Sequence, residues 1–113
     1  MRKPKAARDV APSPRQLDKL IDEATVDAYN EEEQAGGFFS MIEDNLALPF
    51  ATSILGVEAS VVAVDMDDDG GLFAVCEGGG RRQRIGLVDL PLPSPPPSGA
   101  EWIAAYRRWA RGR

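Results

Sequence analysis

Pro49-Phe50-Ala51-Thr52-Ser53-Ile54-Leu55-Gly56-Val57-Glu58-Ala59-Ser60-Val61-Val62-Ala63-Val64 is where this chain changes character. Before it, apolar residues recur every three or four positions. Within it they gather in short runs, rich in residues that suit a pleated, half-buried surface. Leu55-Gly56 between two such runs is a turn signal, so strands are predicted over 50–54 and 57–64. The same texture continues in Leu72-Phe73-Ala74-Val75-Cys76 and in Arg82-Gln83-Arg84-Ile85-Gly86-Leu87-Val88. Asp67-Asp68-Asp69-Gly70-Gly71 and Gly78-Gly79-Gly80 punctuate them. Four short strands at this spacing predict an antiparallel meander or a small SH3-like barrel.

Upstream, Leu17, Leu20, Ile21, Ala24, Ala28, Ala35, Phe38, Phe39, Ile42 and Leu46 mark a helical period. The phase runs through Gly36-Gly37, where two adjacent glycines cost about 2 kcal/mol against alanine. A kink or break is therefore expected there. Pro49 ends the helical region. Downstream, Pro91 to Ser98 reads as a proline-rich connector. Ser98, with Glu101 three residues on, reads as the capping box of a last helix. Trp102, Ile103, Tyr106 and Trp109 form its apolar stripe, and Arg107, Arg108, Arg111 and Arg113 lie near its C-terminal end. The expected fold is α+β: an acidic helical segment packed on a four-stranded sheet and closed by a short C-terminal helix. Residues 1–14, rich in Pro, Ala and basic side chains, read as a disordered arm before a single domain over 15–113.

Composition removes several function classes. The 113 residues contain no histidine and one cysteine, Cys76. Ser-His and Cys-His nucleophile pairs, His-ligated metals and intrachain disulfides are therefore absent. No apolar run is long enough to span a membrane, and no apolar segment follows the basic start as a secretory signal would require. A cytoplasmic, non-enzymatic protein is expected. The net charge of −5 hides a segregation: Leu20 to Gly80 holds fourteen acids and neither lysine nor arginine. Such a stretch repels itself unless the charge is dispersed, paired with the basic ends, or neutralised by a bound cation. Acidity also argues against nucleic acid, which needs a positive footprint.

Three groups of oxygen-bearing side chains could hold a hard cation such as calcium, which takes six to eight oxygen ligands. The first is Asp27, Asn30, Glu31 and Glu32. On a continuous helix, Glu31 and Glu32 flank the apolar stripe at roughly 40 to 60°, and Asp27 lies one turn before Glu31. Carboxylates bordering a core with no basic neighbour in sequence need protons, partners or a metal. The alternative is that they reach water or pair with Arg81, Arg82 or Arg84. The second group is Glu43, Asp44 and Asn45, at a helix end whose dipole disfavours acids. It could share an ion with the first group only if the chain folds back at Gly36-Gly37; otherwise it is a solvated terminus. The third is Asp65, Asp67 and Asp69, spaced like the start of an EF-hand loop with Gly70 at its sixth position. Its twelfth position falls on Cys76 rather than Glu, so it is not an EF-hand. It is either a hairpin-tip cation loop or a hydrophilic turn.

Asp27-Ala28-Tyr29-Asn30-Glu31-Glu32-Glu33-Gln34-Ala35-Gly36-Gly37, with Ile42-Glu43-Asp44-Asn45-Leu46 and Pro49-Phe50, resembles a bacterial non-EF-hand calcium-binding family. That family is typified by a cyanobacterial calcium-binding protein of heterocyst differentiation. The strands that follow and Trp102-Ile103-Ala104-Ala105-Tyr106-Arg107-Arg108-Trp109 extend the likeness to roughly residues 20 to 110. The resemblance implies a calcium buffer or sensor with acidic ligands from the helical part. The alternative from another class is a metal-free interaction module, docking a basic protein partner on its acidic face and sheet.

Overall fold

The computed structural model describes residues 11–112. Residues 1–10, most of the expected arm, lie outside them. Helix α1 spans Pro14–Thr25 and α2 spans Glu31–Asn45. Four strands follow: β1 Phe50–Ile54, β2 Val57–Met66, β3 Leu72–Gly78 and β4 Arg81–Gly86. Helix α3, Ala100–Arg111, ends the fold. The strand order β1-β2-β3-β4 is that of an antiparallel meander. Among the described residues β4 does not pair with β1, so the sheet is open rather than a closed barrel.

The helical region breaks earlier than its glycines suggest. Ser13 caps α1 reciprocally with Gln16, and Pro14 takes the first helical position, where its missing N–H costs nothing. The helix stops at Thr25, and Asp27 adopts a left-handed backbone with φ 65°. Asn30 then restarts the chain by capping α2: its side chain accepts a hydrogen bond from the Glu33 N–H at 2.8 Å. In return the Glu33 carboxylate accepts from the Tyr29 N–H at 2.7 Å. Through Gly36-Gly37 the helix runs on unbroken, contrary to the expected kink. The glycines serve packing instead. A Cβ on Gly37 would lie 1.9 Å from the Ala24 carbonyl oxygen, so α1 and α2 touch backbone to backbone there.

The core lies between the three helices and one face of the sheet. Phe38 and Ile42 from α2, Val61 from β2, Leu87 and Leu90 after β4, and Ile103 from α3 are fully buried. A bulge at Val62 shifts the register between Val61–Cys76 and Ala63–Val75. It lets Val61 and Val64 both face inward, although they are three residues apart. Phe38, Tyr106 and Trp109 form an aromatic cluster with ring centroids 5.2–5.9 Å apart. The Tyr106 hydroxyl accepts from the Leu72 N–H at 3.1 Å, joining α3 to the start of β3. Cys76 is a core thiol, and burial pushes its pKa up.

Two features of the α3 region differ from expectation. Ser98 does not cap α3. Gly99 is the N-cap with φ 89°, and the Ser98 carbonyl accepts from the Ala47 N–H instead. A Cβ on Gly99 would lie 2.2 Å from the Asn45 carbonyl oxygen. The end of α2 and the start of α3 thus meet backbone to backbone, which leaves no room for a capping side chain. Arg107, expected only to complement the helix dipole, turns onto the chain after β4. Its Nε donates to the Leu87 carbonyl at 2.7 Å and its Nη2 to the Leu90 carbonyl. Burial, with Arg111 beside it, pushes its pKa down, and Asp89 opposes them. Charged-donor hydrogen bonds contribute about 1.5–3 kcal/mol. Arg107→Ala should therefore lower unfolding free energy by about 2 kcal/mol in urea melts. Arg107→Lys should recover less than half, because a flexible ammonium lacks the rigid fork that addresses both carbonyls at once.

Candidate metal centre

The three oxygen-rich groups occupy three separate places. Asp27 and Asn30 lie in the turn before α2, and Glu31 and Glu32 in its first turn. All four are exposed. The reasoning that set Glu31 and Glu32 beside the core is overturned. They cover the positive end of a helix dipole, where acids are favoured without any metal. Asp27 does not precede Glu31 on a shared helix, because the break intervenes. The β4 arginines turn elsewhere. Arg82 pairs with Glu77, and Arg84 lies over the Phe73 ring at 4.6 Å.

Glu43, Asp44 and Asn45 occupy the other end of α2 and are also exposed. Because α2 is continuous, roughly 18 Å of helix rise separates Glu31 from Glu43 at about 1.5 Å per residue. One ion cannot bridge the two ends. The last turn of α2 holds no basic residue, so these acids face the negative end of the dipole. Asn45 donates from Nδ2 to the Met41 carbonyl at 2.8 Å. Gly99, packed on the Asn45 carbonyl, brings the start of α3 to the same end. Sequence spacing does not reveal this approach, because it depends on a glycine more than fifty positions away from Asn45.

Asp65, Asp67 and Asp69 lie at the β2–β3 hairpin. Asp65 is still in β2, opposite Phe73, and its carboxylate accepts from the Met66 N–H. Asp67 uses one carboxylate oxygen to accept from the Asp69 and Gly71 N–H groups at 2.9 and 3.0 Å. That is the self-capping of a hydrophilic hairpin turn.

Among the described residues, no three of His, Cys, Asp and Glu converge as a group that could hold a metal ion. The donors are all hard oxygens, and the one thiol is buried in the core. This chemistry suits calcium or magnesium rather than zinc or copper. A site at any of the three places would complete its shell with amide and backbone carbonyls and water.

The profile of a family described as calcium binding, of the CcbP type, matches residues 18–110. The chain belongs to this calcium-binding family. The match spans both ends of α2, the whole sheet and nearly all of α3. A solved calcium-binding protein in its calcium-binding form is similar to the chain, with a TM-score of 0.65 and 22% identity. The likeness covers 85% of this chain and 90% of that one. At this identity it carries the fold. Among curated proteins none matches the chain.

Proposed function

We propose that the chain binds calcium ions reversibly through carboxylates outside any EF-hand, as a non-enzymatic buffer or sensor. The family match over residues 18–110 carries this reading, and the hard-oxygen donor set supports it. The C-terminal end of α2 is the first candidate site. Glu43 and Asp44 sit where the dipole opposes them, and a cation there gains from the dipole and both carboxylates at once. The turn carrying Asp27, Asn30, Glu31 and Glu32 is the second, and Asp65, Asp67 and Asp69 the third. A lone buried thiol suits a reducing compartment, the cytoplasm.

Charge-neutralising pairs separate the sites. Glu43→Gln with Asp44→Asn should weaken calcium binding by roughly tenfold or more in calorimetric titration, about 1.4 kcal/mol. Glu31→Gln with Glu32→Gln should weaken it less. Without calcium the two pairs should move stability in opposite directions. Removing acids from the helix C-terminus should raise the melting point, and removing them from the N-terminus should lower it, by roughly half a kcal/mol per charge. Calcium affinity untouched by both pairs would move the proposed site off α2.

A further inference from the structure

We propose that the groove between α1 and α3 is a docking site for an acidic amphipathic helix of a partner protein. The groove encloses about 930 Å³. Its floor is apolar: Leu17 and Ile21 from α1, Ala104 and Trp109 from α3. All four are only half-buried by the chain's own fold. Leu17 and Ile21 are one turn apart on α1, the spacing at which a helical ligand's apolar side chains interleave.

Charge identifies the occupant. Arg107, Arg108 and Arg111 line the groove against a single acid, Asp18. Asp18 is already engaged, accepting from Arg108 Nε at 2.9 Å. Arg107 is spent on two backbone carbonyls, yet Arg111 lies close enough to disfavour its charge. Positive charge therefore gathers here on a chain whose net charge is −5. The C-terminal dipole of α3 accounts for Arg108 and Arg111 at that end. It does not account for the open apolar floor beside them. Residues 1–10 carry Arg2, Lys3, Lys5 and Arg8 against Asp9, the wrong sign to fill the groove. A second copy inserting its acidic region would make a head-to-tail contact, which builds rings or open chains of copies rather than a simple dimer. An acidic helix with leucine-like residues every three or four positions matches both floor and rim.

The test is a selection on the full chain with random peptides about four helical turns long. Enriched peptides should combine glutamate or aspartate with apolar residues at three- and four-residue spacing. Arg111→Glu, at an exposed position, should reduce their affinity roughly tenfold, with only the small loss of stability expected where an acid replaces a base at a helix C-terminus. Leu17→Asp should weaken binding from the floor as well, at some cost in stability because Leu17 also packs against the core. In spectra labelled at the tryptophan indoles, the Trp109 N–H signal should move on binding. No enrichment, enriched peptides without acids, or equal binding to the Arg111→Glu chain would each overturn the proposal. So would self-association of the free chain that Arg111→Glu abolishes, because the occupant would then be a second copy.

Discussion

Gly37→Ala is expected to destabilise the fold by about 3 kcal/mol, the upper range of overpacking changes. The added Cβ would lie 1.9 Å from the Ala24 carbonyl oxygen and 3.0 Å from its carbon. Both atoms are backbone, so neither can rotate aside as a flexible side chain would. Relief requires α1 and α2 to separate, and that exposes Ala24, Phe38 and Ile42, which the contact helps to bury. The melting point should fall by roughly 10 °C or more for a domain of this size. Gly36→Ala is the control one residue away. A Cβ there meets nothing within 4 Å. It should stabilise the fold by about 0.5–1 kcal/mol through helix propensity alone. Opposite signs at adjacent glycines of one helix would show that close packing, not a hinge, explains Gly37.

Phe38→Ala should have a still larger effect, roughly 3–5 kcal/mol. Phe38 is fully buried and is the ring that joins α2 to the aromatic residues of α3. Its removal leaves Tyr106 and Trp109 facing a void on the side where the Trp109 indole also donates to Gln34 at 2.9 Å. With total stabilities commonly about 5–15 kcal/mol, the variant is to be read by denaturant midpoint rather than by yield. Phe38→Leu should lose less than half as much, since it keeps most of the apolar volume. Because Phe38 lies on the helix whose ends carry the candidate ligands, calcium should raise the midpoint of Phe38→Ala by the same free energy as that of the parent chain. Binding to the folded state adds its increment whatever the starting stability.

Local patterns foretold most of the elements. Apolar residues at helical spacing named Ala24, Phe38, Ile42 and Leu46, all buried. Strand texture placed β1 to the residue, and tight-turn signals placed every hairpin. What local patterns could not foretell was anything that depends on a distant backbone. Gly37 looked like a helix breaker because its partner, the Ala24 carbonyl, is known only once α1 folds against α2. Ser98 looked like a cap for the same reason, since the contact between Gly99 and Asn45 spans the whole sheet in sequence. The acids were legible as a group, and the hard-cation chemistry followed from their oxygen donors. Their depth was not. Glu31 and Glu32 were set beside the core on the assumption that the helix beginning near Leu17 continues through them to Ala35. The break at Asp27, where the backbone turns left-handed, resets the phase and leaves them exposed at a helix start.

The decisive measurement is the melting point of the purified chain in chelator, in calcium and in magnesium at equal ionic strength. A ligand that binds only the folded state adds about 2.7 kcal/mol at a hundredfold excess over its dissociation constant. Calcium should therefore raise the midpoint by several degrees or more. Magnesium, which demands tighter octahedral geometry and gives up water reluctantly, should raise it far less. The calcium shift should shrink in the chain carrying Glu43→Gln and Asp44→Asn. Three superimposable melts would contradict calcium binding by this chain and leave its acidic region a solvated surface.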